Sequence, residues 1–219
     1  MGKTVLVSGA TGFIAGHVIE QLLAKGHAVV GTVRDPKDAA KVGFLTAMQG
    51  DLRLVAADLL DADPFTAHAD VDAILHLASP YIINVKDPQR DLVDPAVQGT
   101  LAMLRAAKAN PRVKRVVLTS SIAAVTDEPD GRVLTEADWN SKSSLTRNPY
   151  YYSKTLAERA AWDFMAKEKP GFDLVVINPF MVIGPAHSKA VNTSPEILLS
   201  ILKRQSPAIM ALTWGFVDV

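Results

Sequence analysis

Short apolar runs alternate with longer amphipathic ones along most of this chain. Thr4–Ser8, Ala28–Val33, Leu52–Ala56, Asp72–Leu77, Arg115–Thr119 and Asp173–Ile177 are rich in Val, Leu and Ile and predict strands. Between the first two, Ile14, Val18, Ile19, Leu22 and Leu23 share one helical face that ends at Gly26. A second helix is expected from Arg34-Asp35-Pro36-Lys37 to about Gly50. A third runs from roughly Pro88 to Asn110, with Val93, Val97, Leu101 and Leu104 as its stripe, and a further one from about Pro149 to Lys169. Strands separated by helices imply βαβ units with right-handed crossovers, hence an α/β fold on a doubly wound parallel sheet. The mostly apolar strands fit a sheet covered on both faces. In such sheets a ligand sits beyond the carboxyl ends of the strands, at the switch point between halves.

The candidate chemistry lies at those ends. Gly9-Ala10-Thr11-Gly12-Phe13-Ile14-Ala15-Gly16 joins the first strand to the first helix. A side chain there would hold the backbone away from a pyrophosphate, and the helix's free amides and positive dipole end would face that anion. The spacing is G-x-x-G-x-x-A rather than G-x-G-x-x-G, and glycines also close ordinary strand–helix turns. At the end of the second strand stands Arg34, where an acidic residue would favour NAD. An arginine fork instead suits a 2′-phosphate, with Lys37 and Lys41 one and two turns on, which favours NADPH. Asp35 would oppose this if it pointed the same way, and a solvated loop charge is the plainer reading of Arg34. Tyr150 and Lys154, four apart on one helix face, place an ammonium beside a phenol and favour its ionised form. Thr119-Ser120-Ser121 ends the fifth strand, and is a polar strand end or a source of hydroxyls.

Composition narrows the classes. The chain has 219 residues, 48% hydrophobic and 21% charged, enough for one sizeable core. Lys plus Arg and Asp plus Glu both total 23, so no net field favours nucleic acid or an anionic membrane. Cysteine is absent, the first strand starts too close to Met1 for a signal peptide, and no apolar run approaches a membrane span. A cytoplasmic protein is expected. The histidines, at 17, 27, 68, 76 and 187, show no metal-ligand spacing, and His76 reads as structural.

In this order the motifs resemble a known family, the extended short-chain dehydrogenase/reductases, in the branch with dihydroflavonol reductases, cinnamoyl-CoA reductases and fungal aldehyde/ketone reductases. The residues that carry it are Ser8 to Ala15, Val33-Arg34-Asp35-Pro36, His76-Leu77-Ala78-Ser79-Pro80 and Asp94 to Thr100. They continue with Thr119-Ser120-Ser121, Tyr150 with Ser153 to Glu158, Asn178-Pro179 and Gly184-Pro185. The resemblance implies an NAD(P)-binding Rossmann domain over 1–179 and the beginning of a small C-terminal substrate lobe over 180–219. It implies NADP(H) as cofactor and Ser121, Tyr150 and Lys154 as the catalytic trio. Ser121 is preferred to Ser120 as the last serine before Ile122-Ala123-Ala124. Tyr150 would give a proton to a carbonyl oxygen that Ser121 also binds, and Lys154 would hold the ribose and depress the tyrosine pKa. Further cofactor contacts would fall on Gly9, Thr11, Gly12, Phe13, Ile14, Arg34, Lys41, Asp58, Leu59 and Ala78, with Pro179, Val182 and Ser194 near the nicotinamide. Gln98 departs from the asparagine that many extended members carry.

The activity implied is NADPH-dependent reduction of an aldehyde, ketone or flavanonol-like carbonyl. Its partner would be a small-molecule substrate, without nucleic acid or membrane, and a homo-oligomer is compatible. The alternatives are an NAD-dependent sugar-nucleotide epimerase or dehydratase, against which Arg34 argues, and a non-catalytic dinucleotide-binding protein. After Pro185 a helix over about Ser194 to Arg204 and a strand over Gly215–Val219 are expected. Ile197, Leu198, Ile201 and Trp214 would serve a lobe of which the chain holds only the start, which suggests a truncated form.

Overall fold

Strands β1 (Thr4–Ser8), β2 (Ala28–Val33), β3 (Leu52–Ala56), β4 (Ala73–His76), β5 (Arg115–Thr119) and β6 (Asp173–Ile177) form one sheet in the order β3-β2-β1-β4-β5-β6. Every pairing in it is parallel. The computed structural model that shows this describes residues 2–59, 61, 63–79, 85–128, 130–187, 199–205 and 215–219. From β1 the chain builds outward through β2 to β3, then returns to lay β4 on the other side of β1. The switch point of the doubly wound fold therefore falls between β1 and β4.

Side-chain alternation divides the core into two layers. Leu6, Val30, Ile74 and Val116 pack with Met103, Leu104 and Ala161, from helices α3 (Asp94–Ala109) and α5 (Pro149–Glu168). Val5, Val7, Val29 and Val33 pack with Ile19, Leu23, Val42 and Leu45, from α1 (Phe13–Ala24) and α2 (Ala39–Thr46). A one-residue slip of register would exchange these sets, so the pattern in the central strands specifies their pairing. Phe164 and Met165 pack partly buried on the first layer. Helix α1 ends where the sequence places its stop. Gly26, at φ 75°, lets its own N–H reach the Leu23 carbonyl and that of His27 reach Leu22, a Schellman ending.

Several elements differ from the sequence reading. Helix α2 begins only at Ala39, because the Asp35 carboxylate accepts from the Lys37 N–H and holds residues 35–37 in a turn. The third helix opens as a π-helical turn, Gln89–Val93, before becoming regular at Asp94. The small residues after Ser121 form a short helix α4 (Ile122–Val125) that alternation did not flag. Beyond the main sheet, β7 (Met181–Ile183) pairs in parallel with β8 (Phe216–Asp218), within the expected terminal strand. Most of the helix expected from Ser194, together with Pro80, Ser194, Ile197, Leu198 and Trp214, lies outside the described residues; Ile201 is exposed. Among the described residues no helix is long and apolar enough to cross a membrane.

Candidate functional site

Two cavities open side by side along the carboxyl ends of the strands. One, of about 480 Å³, is bounded by Thr11, Thr32, Arg34, Asp58, Leu59 and Ala78, among others. The other, of about 260 Å³, is bounded by Phe13, Ile14, Ser121, Tyr150, Lys154 and Val182, among others. Gly9, Gly12, Leu77 and Ser79 line both, so the glycine turn is the shared wall of one long cleft over the switch point. Pro179 also lines the smaller half. Lys41 lies in neither; it pairs with Asp38 at 2.9 Å with a largely exposed side chain. Ser194 lies outside the described residues. Asp35, which could have opposed an anion near Arg34, is turned onto the Lys37 N–H and does not line the cleft.

The glycine turn is tied down from two sides. The Gly9 N–H donates to Thr32 Oγ1 at 3.2 Å and the Ala10 N–H to the Thr32 carbonyl at 2.9 Å. Gly9 has φ 68°, and a Cβ on it would lie 3.0 Å from Ala78 Cα, so conformation and space both require glycine. Ala78 is itself fixed by Ser8. The Ser8 hydroxyl oxygen accepts from the Leu77 and Ala78 N–H groups, both at 3.0 Å, and its proton goes to His76 Nδ1 at 2.8 Å. His76 is thereby an acceptor at Nδ1. Burial, then the Lys154 charge, pushes its pKa down to about 3, so it stays neutral and structural as expected. At the head of α1 the Phe13 and Ile14 amides have no partner earlier in the helix, and both residues line the cleft.

The smaller half collects the polar side chains. Ser121 caps α4: its Oγ accepts from the Ala123 N–H at 3.2 Å, which leaves its own proton to donate into the cleft. Ser120 Oγ, by contrast, is buried without a hydrogen-bond partner. Lys154 Nζ lies 5.8 Å from the Tyr150 ring centroid and donates to Ser79 Oγ at 2.9 Å. Burial lowers the Lys154 pKa to about 8, against the attraction of Glu158. Glu158 is buried one turn further along α5 and accepts from Asn178 Nδ2 at 2.7 Å. The same amide donates to the Ser121 carbonyl at 3.1 Å. The lysine and the serine are thus braced through one pair, Glu158 and Asn178.

Tyr150 is set by the start of α5. The Asp127 side chain, only 2% exposed, accepts from Arg147 Nε at 3.0 Å, from Ser143 Oγ at 3.0 Å and from Asn148 Nδ2. That clasp holds Asn148 left-handed, at φ 49°, just before Pro149 begins the helix. Asp127→Ala is expected to lower the unfolding free energy by roughly 0.5–1.5 kcal/mol, because the buried carboxylate gives up its three hydrogen bonds while the exposed Arg147 and Asn148 donors can turn to water. Urea denaturation monitored by circular dichroism measures it, and an unchanged midpoint would show that the clasp is not needed.

Sequence reasoning missed Ser79, Thr32 and Asn178 as structural partners of the site. In the sequence Ser79 and Asn178 stand out only as members of motifs, and Thr32 only as part of a strand.

Residues 5–215 match the NAD dependent epimerase/dehydratase family. The chain belongs to that family. It is 43% identical over 215 residues to cinnamoyl-CoA reductase CAD2 of Medicago truncatula, covering 92% of this chain and 64% of that protein. It is 41% identical over 242 residues to the putative NADPH-dependent methylglyoxal reductase GRP2 of Candida albicans, covering 99% of this chain and 71% of that protein. Among solved structures, yeast methylglyoxal/isovaleraldehyde reductase Gre2 complexed with NADPH matches with a TM-score of 0.88 and 32% identity, over 98% of this chain and 70% of that one. The chain therefore spans roughly two thirds of these relatives, which fall in the reductase branch that the motifs resemble.

Proposed function

We propose that this chain is the cofactor-binding and catalytic portion of an NADPH-dependent carbonyl reductase acting on a small aldehyde or ketone. Residues 1–179 would be its dinucleotide-binding domain and 180–219 part of its substrate lobe. The observation that carries the reading is the single cleft that runs from Arg34, past the glycine turn, to Ser121, Tyr150 and Lys154. The residues fit a dinucleotide phosphate. Gly9 and Gly12 leave the turn without side chains where it walls both halves of the cleft, the head of α1 offers amides to a pyrophosphate, and Arg34 offers a fork to a 2′-phosphate. An NAD-dependent sugar-nucleotide enzyme would instead favour a carboxylate in place of Arg34.

Bound there, NADPH supplies a hydride to the carbonyl carbon. Tyr150 donates its phenolic proton to the carbonyl oxygen as charge develops on it. Ser121, its lone pair engaged by Ala123, donates a second hydrogen bond to the same oxygen. Lys154 favours the phenolate left behind. The relatives' names support the reaction class, since each is called a reductase.

Nicotinamide-fluorescence titrations test the cofactor half of this reading. NADPH is expected to bind more tightly than NADH, and Arg34→Ala is expected to weaken NADPH by about 10- to 100-fold, the loss of a charge-assisted contact worth roughly 1.5–3 kcal/mol. Equal affinities for the two cofactors would overturn it.

A further inference from the structure

We propose that His17, Glu20 and His187 form a binding site for a divalent transition-metal ion of the zinc class, which clamps the turn after β7 to helix α1. No local spacing links all three residues in sequence, because the third ligand comes from the turn after β7. The fold brings them together: one ligand atom from each lies within 4.8 Å of the other two. Two imidazoles and a carboxylate are a donor set that zinc uses with water in the fourth position.

The geometry is close to what a metal needs. His17 and Glu20 stand one helical turn apart on α1. His187 Nε2 lies 3.4 Å from Glu20 Oε2, about the separation of two ligands on a tetrahedral ion with bonds of about 2.0–2.2 Å. No ligand separation in the cluster exceeds 4.8 Å, so gathering the three onto an ion requires closing by no more than about 1.5 Å.

The histidine rings are held in place before any ion arrives. His187 stacks on Phe44 with an interplanar angle of 6°, and Gly16 makes room for both, since a Cβ there would lie 3.1 Å from each ring. His17 Nε2 donates to the Pro185 carbonyl at 2.8 Å, which leaves Nδ1 as the lone-pair nitrogen of that ring. His187 Nε2 is buried yet makes no hydrogen bond, with Glu20 close enough only for charge attraction. Buried polar atoms are rarely left so, and an ion would satisfy this one.

The site lies outside the residues assigned to the reductase cleft, although His17 packs edge-on against Phe13 at 5.5 Å. The proposal therefore stands or falls separately from the activity. The test uses untagged protein, stripped with a chelator and titrated with Zn²⁺ by calorimetry and with Co²⁺ by visible absorption. The expected result is one equivalent bound in the micromolar range, a Co²⁺ spectrum of low coordination number, and a higher Tm with metal. His187→Gln and Glu20→Gln are each expected to weaken Zn²⁺ by at least about tenfold while their far-ultraviolet dichroism is unchanged. No stoichiometric binding in the micromolar range would overturn the proposal, as would unchanged affinity in folded His187→Gln. Either result would make the cluster a histidine–glutamate contact and nothing more.

Discussion

Replacing Tyr150 by phenylalanine is expected to lower kcat by about 100- to 10,000-fold, the usual contribution of a positioned general acid. NADPH affinity should change little. The substitution keeps the ring, its edge-on contact with Tyr151 at 6.1 Å and its place beside Lys154, and removes only the hydroxyl. That proton is needed only when the carbonyl oxygen becomes an alkoxide, so the loss should fall on the transition state and not on binding. Single-turnover rates at saturating NADPH measure it. Retention of more than a tenth of the wild-type rate would place the proton donor elsewhere.

Lys154→Met should show the opposite signs for activity and stability. Turnover should fall by at least about 100-fold, because the phenolate of Tyr150 would lose its neighbouring ammonium. Stability at neutral pH should stay level or rise. Burial holds the folded pKa at about 8, below the ordinary 10.5, and that difference corresponds to roughly 3 kcal/mol spent on keeping the ammonium buried. Against it stands the lost bond to Ser79, worth roughly 1.5–3 kcal/mol. The cost of the charge is present in full below about pH 8, where folded and unfolded chains are both protonated. It is relieved between pH 8 and 10.5, where only the unfolded chain holds the proton. The gain of Lys154→Met over the wild type should therefore be largest below pH 8 and shrink as pH rises through that window. Thermal melts at pH 7 and pH 10 read the difference. A Tm for Lys154→Met well below wild type at pH 7 would show that this lysine supports the fold.

The fold was legible because its strands are mostly apolar runs, buried on both faces in β1 and β2. In β1, β2, β3, β5 and β6 the apolar runs end where the strands end, and Gly9 and Gly26 mark turns whose positive φ no other residue adopts easily. What was less legible depends on contacts between distant segments. Nothing local announces that Ser79 will meet Lys154, or that Asn178 will join Ser121 to Glu158. The start of α2 depended on a side-chain turn at Asp35, and α4 on a cap by Ser121, both too short for periodicity to register. Lys41 shows the limit of spacing arguments: residues 35–37 form a turn and α2 starts only at Ala39, so Lys41 is not two helical turns from Arg34 and pairs with Asp38 outside the cleft. The His17, Glu20 and His187 cluster shows the same limit for ligand spacing.

Hydride transfer is tested most directly with NADPH deuterated at the nicotinamide C4 and a panel of simple aldehydes and ketones, with the alcohol products examined by mass spectrometry. The expected result is deuterium on the carbinol carbon, delivered from one face of the cofactor, with transfer largely lost in Tyr150→Phe. Alcohol formed without deuterium, or transfer undiminished in Tyr150→Phe, would contradict reduction in the cleft between Arg34 and Tyr150.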